Sequence, residues 1–322
     1  MRWHAHDNIP RRAGSPRERI PPQGRTRSSE ARRAGERGKK MIPLTCPICN
    51  TPLTAVNGTL ICASEPKPHT YDIAASGYVN LLNPGKKNNA KAGDSKEMVR
   101  ARADFLRTDA YSRPSDALTE IVRQRANSKQ TLTLADAGCG EGYYTLNIAK
   151  SIENSYTVGF DASKHAAEAA AKCAKRMNLA NRAMFFAANI FSMPIADASC
   201  DVVTNLFAPE ADAEFLRVLK TDGSLIVGSA GEYHLAELKD ALYGENAHLN
   251  ELRGAREIHG LTFENKVNVR YKTTVATNEM IKNLFTMTPY RHRTSAADSA
   301  KLDSLQSLEI TVDFDFYIYR KI

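Results

Sequence analysis

Residues 132–152 read LTLADAGCGEGYYTLNIAKSI. LTLADAG (132–138) is apolar and leads into a glycine turn, and YYTLNIAKSI (143–152) has the length and spacing of a helix. A strand that passes through such a turn into a helix opens a parallel α/β unit. The stretches that follow keep the same rhythm. TVGFD (157–161), MFFAAN (184–189), DVVTNLF (201–207) and SLIVGSA (224–230) read as strands. KHAAEAAAKCAKRM (164–177), ADAEFLRVLK (211–220) and HLAELKDALY (234–243) read as the helices between and after them. The pattern predicts a doubly wound parallel sheet covered on both faces. The end of the chain differs. KVNVRYKTTV (266–275) and LEITVDFDFYIYRKI (308–322) alternate with period two, which suits an antiparallel pair at the sheet edge.

The turn itself carries chemistry. Its glycines, Gly138, Gly140 and Gly142, are spaced GxGxG rather than the GxGxxG of dinucleotide sites, and Asp136 and Glu141 place carboxylates on both sides. A pyrophosphate is a poor match for two carboxylates. A donor that is cationic at its sulfonium and its amine suits them, which points to S-adenosylmethionine. Asp161 ends the second strand, 19 residues after Gly142, where a carboxylate can accept hydrogen bonds from ribose hydroxyls. Asn189 ends the third strand, where it can meet the adenine edge. A bare strand–turn–helix junction would use the same glycines. Three strand-end groups in this order weigh towards a cofactor site.

Upstream, CPIC (46–49) is a Cys-x-x-Cys knuckle, followed by Cys62 and then His69, with Gly58 at a turn between. Three thiolates and one imidazole make a closed tetrahedral zinc set of the structural kind. Some forty residues hold too little core to fold alone, so a metal would supply much of the stability. The competing readings are a redox CxxC, which lacks a thioredoxin-like βαβ context, and buried free thiols.

Charge is unevenly placed. Residues 1–40 hold 12 of the 44 Lys and Arg and 4 of the 36 Asp and Glu, so the rest of the 322-residue chain carries 32 of each. The net +8 therefore lies in the tail, and any nucleic-acid contact must come from local patches. Residues 1–40 are rich in Arg, Gly, Pro and Ser and are expected to be disordered, either as a tail upstream of a true start at Met41 or as a basic RNA-binding arm. The expected divisions are the tail, a zinc-binding domain over 41–82, a linker with helices over 83–128, and a cofactor-binding domain over 129–322. In the linker SKEMVRARADFL has helical spacing from Asp94 on, and 114–126 reads as a further helix. Lys86, Lys87, Lys91, Lys96, Arg100 and Arg102 form a basic stretch that suits RNA or a solvated face. No apolar run is long enough for a membrane span, and the cysteine usage suits a reducing cytoplasm.

CPIC…C…H, then YDIAASGYVNLL (71–82), DSKEMVRARADFL (94–106) and DAGCGEGYYT (136–145), resemble the large-subunit rRNA guanine-N1 methyltransferases of the RlmA/TlrB type. The resemblance runs from about Cys46 to the C-terminus. It implies a zinc-ribbon-like N-terminal domain, a Rossmann-like S-adenosylmethionine methyltransferase domain, a homodimer, and methyl transfer to N1 of a guanine in a 23S rRNA hairpin. Its zinc ligands fall on Cys46, Cys49, Cys62 and His69, although ASEPKPH makes a longer approach to the histidine than the family pattern has. Its cofactor contacts fall on Tyr111, Gly140, Glu141 and His234, with the loop carrying His234 closing over the methionine end. NLFAP (205–209) takes the place where relatives hold a target nucleotide, with Phe207 or Tyr290 to stack on the base. TMTPYRHR (286–293) also matches, with Arg291, His292 and Arg293 for phosphates. Glu210 and His234 are the candidates to accept the N1 proton, and no residue is assigned as catalytic. The alternatives are a methyltransferase acting on a small molecule and a ribosome-binding module without activity.

Overall fold

A computed structural model describes residues 42–83, 93–126, 130–244, 247–251 and 254–322. The expected disorder of residues 1–40 and the linker lysines Lys86, Lys87 and Lys91 lie outside the described residues.

The strands are β1 (Leu53–Val56), β2 (Thr59–Cys62), β3 (Thr70–Asp72), β4 (Val79–Asn80), β5 (Leu132–Ala137), β6 (Ser155–Asp161), β7 (Ala183–Ala187), β8 (Cys200–Leu206), β9 (Leu219–Ala230), β10 (Leu261–Val275) and β11 (Leu308–Lys321). The helices are α1 (Lys96–Leu106), α2 (Ser112–Arg123), α3 (Tyr143–Ser151), α4 (Lys164–Arg176), α5 (Asp212–Val218), α6 (Ala236–Tyr243), α7 (Asn278–Met287) and α8 (Ala296–Ala300). Eight strands form one sheet in the order β10-β11-β9-β8-β5-β6-β7-β4. β5 pairs in parallel with both β6 and β8, so the strand order reverses beside it. The crevice above such a reversal is where α/β folds hold ligands.

Burial follows position. Every residue of β5 is buried, as a central strand covered on both faces requires. β11 lies between β9 and β10, antiparallel to both, and is buried over most of its length. β10 has one partner; its ends, Leu261 and Val275, are buried, residues 262–266 are exposed, and 267–274 alternate between half-buried and exposed. Successive residues point to opposite faces. Tyr317 and Tyr319 of β11 therefore join one core with Phe160, Phe186 and Phe215, while Phe314 and Phe316 join the other with Phe105, Tyr111 and Leu118. α1 is capped by the Ser95 hydroxyl, which accepts the Met98 N–H at 3.2 Å, and it buries Met98, Ala101 and Phe105 at helical spacing.

Three of the differences from the sequence reading shape the architecture. The helix expected over 211–220 stops at Val218, because Leu219 is already paired opposite Cys200 and β9 begins there. β10 starts at Leu261, five residues before the alternating stretch. β4, only two residues long, pairs in parallel with β7 and ties the cysteine-bearing segment to the far edge of the sheet. Ile42, Leu60, Val79 and Leu81 of that segment share a core with Phe160, Phe186, Met193 and Ile195. No helix among the described residues is long and apolar enough to cross a membrane.

Candidate functional site

The carboxyl ends of β5, β6, β8 and β9 open into a cavity of about 890 Å³. Tyr111, Asp136, Gly138, Gly140, Glu141, Asp161, Asn189 and His234 all line it. Gly142 does not line it. A Cβ there would stand 2.8 Å from the Cβ of Ala170 and 3.0 Å from the Phe185 ring, so its bare backbone lets α3 sit against its neighbours. Gly138 needs the same freedom, since at φ +90° a Cβ would stand 2.4 Å from that of Ala208.

Carboxylates crowd this end. Asp136 is buried, and its oxygens accept the hydroxyls of Thr145 and of Thr204, the latter at 3.0 Å. Burial pushes its pKa up to about 6, against the pull of those hydroxyls. Asp161 accepts the Gly140 N–H at 2.9 Å and the Ser163 N–H at 2.7 Å, which fixes the turn against the end of β6, and burial raises its pKa. Burial pushes Glu141 up to about 7 despite the Arg102 guanidinium, whose Nη1 lies 3.7 Å from Oε2. That Oε2 atom is buried and has no hydrogen-bond partner. An orphaned acceptor and a glycine open to the cavity fit a ligand that brings a cation to the turn.

The opposite wall is aromatic. Tyr111 is buried against Phe105 and Phe314, with ring centroids 5.2 and 5.1 Å away. Its hydroxyl lies 3.2 Å from His234 Nε2, and His234 Nδ1 accepts the Asp313 N–H at 3.3 Å. An Nδ1 that accepts places the ring proton on Nε2. Burial lowers the His234 pKa to about 3, so this ring is neutral and has no lone pair free for another proton. Glu210 lines a separate cavity of about 430 Å³ and pairs with Arg256 at 3.0 Å. Both groups considered for the N1 proton are thus already engaged, His234 through both ring nitrogens and Glu210 through Arg256.

At the mouth stand Phe191 and Phe207, 57% and 52% exposed, beside Tyr290, His292 and Arg293. Phe207 has φ +52°, a left-handed conformation that a bulky residue rarely adopts. Asn205 holds the loop in that shape, donating to Ala137 O at 3.0 Å and to Pro209 O at 3.1 Å. Arg291 is engaged with Glu97 at 2.8 Å. The sequence reading missed Asn205 as the brace of the loop. It also set Arg102 in a basic stretch suited to RNA or to a solvated face, whereas the side chain lines the cavity and pairs with Asp94. Only the charge pattern of α1 was visible, and that does not tell which arginine points inward.

The second site is the cysteine cluster. The β1–β2 hairpin turns through Asn57 and Gly58, both at positive φ, as a two-residue hairpin loop prefers. This brings Cys62 to the CPIC knuckle, and one ligand atom from each of Cys46, Cys49, Cys62 and His69 lies within 4.8 Å of the others. The Cys49 and Cys62 sulfurs are 3.7 Å apart, and His69 Nδ1 is 3.6 Å from Cys46 Sγ and 3.5 Å from Cys62 Sγ. A tetrahedral zinc with bonds of about 2.3 Å to sulfur sets its sulfurs about 3.8 Å apart, so the donor set fits. The Tyr71 hydroxyl on Cys46 Sγ at 3.1 Å and the His69 N–H on Cys62 Sγ at 3.0 Å supply outer contacts for thiolates.

Two family models match the chain, a methyltransferase domain over residues 128–285 and the zinc-ribbon N-terminal domain of RlmA over residues 44–91. YxjB of Bacillus subtilis (strain 168), provisionally named a 23S rRNA (guanine-N(1)-)-methyltransferase, is 30% identical over 284 residues, covering 86% of this chain and 96% of its own. The 23S rRNA (guanine(748)-N(1))-methyltransferase of Streptomyces fradiae is 33% identical over 200 residues, 62% of this chain and 67% of its own. A Micromonospora griseorubida protein, provisionally named a 23S rRNA (guanine-N(1)-)-methyltransferase, is 32% identical over 213 residues, 62% of this chain and 69% of its own.

Proposed function

The chain belongs to the RlmA-type 23S rRNA (guanine-N(1)-)-methyltransferase family, and from that premise we propose that it methylates N1 of a guanine in a 23S rRNA hairpin. The observation that carries this reading is one cavity with a carboxylate-rich glycine turn at one end and exposed aromatic rings at its mouth. S-adenosylmethionine, when bound, supplies an electrophilic methyl group on a sulfonium. The chain's own residues bind, orient and exclude water. Asp161 takes the ribose hydroxyls, Asn189 the adenine edge, and Gly138, Gly140 and Glu141 the methionine end, with Tyr111 and His234 closing over it. Asp136 braces the turn through Thr145 and Thr204.

An extruded guanine stacks on Phe207, which the Asn205 brace holds at the end of β8. In-line attack would form the N1–CH3 bond as the S–CH3 bond breaks to leave S-adenosylhomocysteine, with the N1 proton passing to solvent because His234 and Glu210 are already engaged, so the chain's own part is positioning. Cys46, Cys49, Cys62 and His69 hold a structural zinc, which shapes a face for RNA beside the main sheet. The family resemblance supports a homodimer working in the cytoplasm.

The test is primer extension across 23S rRNA from a strain lacking the gene. The expected result is the loss of one stop at a guanine and its return when the gene is restored. An unchanged stop pattern overturns the reading.

A further inference from the structure

We propose that Arg102 binds the carboxylate at the methionine end of S-adenosylmethionine, while the adjacent Glu141 faces its ammonium group. The assignment rests on the methyltransferase reading above. Arg102 leaves α1 towards the glycine turn, where its Nη1 lies 3.4 Å from the position a Cβ on Gly140 would take. Its guanidinium pairs with Asp94 and stands 3.7 Å from Glu141 Oε2. Its side chain keeps 23% of its surface exposed and lines the cavity.

The charges around it call for an anion of a particular kind. Asp94, Glu141 and Asp161 all line this end of the cavity, and Arg102 is the guanidinium among them. The other guanidinium among the described lining residues, that of Arg293, comes from the segment after α7, not from the turn. A zwitterionic amino acid brought to this turn would set its carboxylate against three acidic groups unless a cation met it. A guanidinium carries five N–H donors in a fork suited to a carboxylate, more than the two carboxylates beside it use up. The orphaned Glu141 Oε2, next to that fork, supplies the complementary acceptor for the ammonium group. The pair thus forms a receptor of opposite charges a few ångströms apart.

Calorimetric binding of S-adenosylmethionine and of decarboxylated S-adenosylmethionine to the full chain separates this role from a purely structural one. A charged hydrogen-bonded contact predicts that the wild type prefers the carboxylated donor by roughly ten- to hundredfold. Arg102→Met brings the ratio close to one by weakening the carboxylated donor alone. Arg102→Lys, which keeps a charge opposite Asp94 but not the fork, gives an intermediate ratio and serves if the Met variant does not fold. Equal affinity of the wild type for both donors overturns the assignment, as does a variant that weakens both by the same factor. If the wild type binds neither donor, the methyltransferase reading fails first and this assignment falls with it.

Discussion

Glu141 sits where a charge is costly until a cation arrives. Burial raises its pKa to about 7 in the free protein, so below that pH the group is mostly neutral. A bound cation favours the ionised form, and uptake at lower pH must release a proton. Affinity for S-adenosylmethionine should therefore weaken by up to about tenfold for each pH unit below about 7 and level off above it. Calorimetry in two buffers of different ionisation enthalpy should show proton release at pH 6 and little at pH 8. Glu141→Gln should flatten that dependence. For the free fold the shift acts the other way. Between the ordinary value of 4.5 and about 7 the unfolded chain ionises first, so rising pH lowers stability through this group. Phe207 belongs to the other end of the cavity. Phe207→Ala should lower rRNA methylation by roughly ten- to hundredfold, as lost base stacking implies, while donor affinity stays nearly unchanged. At this scale the sequence was informative where topology does the placing. Asp136 and Asp161 sit at the carboxyl ends of β5 and β6 and Asn189 just past that of β7, and strand ends face one crevice. It was silent on Arg102 and Asn205, whose roles depend on which way a side chain turns and on what lies across from it.

Elements explain why the two sites are coupled. β4 pairs with β7, and the zinc-site segment shares a core with β6 and β7, so loss of the metal should reach the main sheet. Cys46→Ser should abolish zinc retention and lower the melting temperature by several degrees. Hydrogen exchange should rise in residues 42–62 and also along β7; protection of β7 unchanged in the metal-free protein would contradict the coupling. The loop after β8 is a second joint. Asn205→Ala removes two buried hydrogen bonds, at about 1–3 kcal/mol. It should reduce turnover more than donor binding, read from kcat and a donor titration. The βαβ rhythm was legible because central strands are near-continuous apolar runs and the helices between them have a clear period. The two residues of β4 carry no period at all, and the early start of β9 depends on its partner Cys200 rather than on its own composition.

At the scale of the whole molecule, charge and architecture divide the work. The chain beyond residue 40 is neutral overall, so recognition of the proposed rRNA substrate rests on local groups rather than on net charge. The described lining residues of the cavity run from Gly93 to Phe314, and a chain starting at Met41 should bind S-adenosylmethionine as tightly as the full one. Every site assignment depends on the proposed transfer of a methyl group from S-adenosylmethionine to guanine N1 of 23S rRNA. The most direct measurement incubates purified protein and isotopically labelled donor with unmodified 23S rRNA, then separates the nucleosides by mass spectrometry. Label is expected in N1-methylguanosine alone, and is lost with Asp161→Ala. Label in another nucleoside, or none in the RNA from a protein that binds the donor, would contradict it.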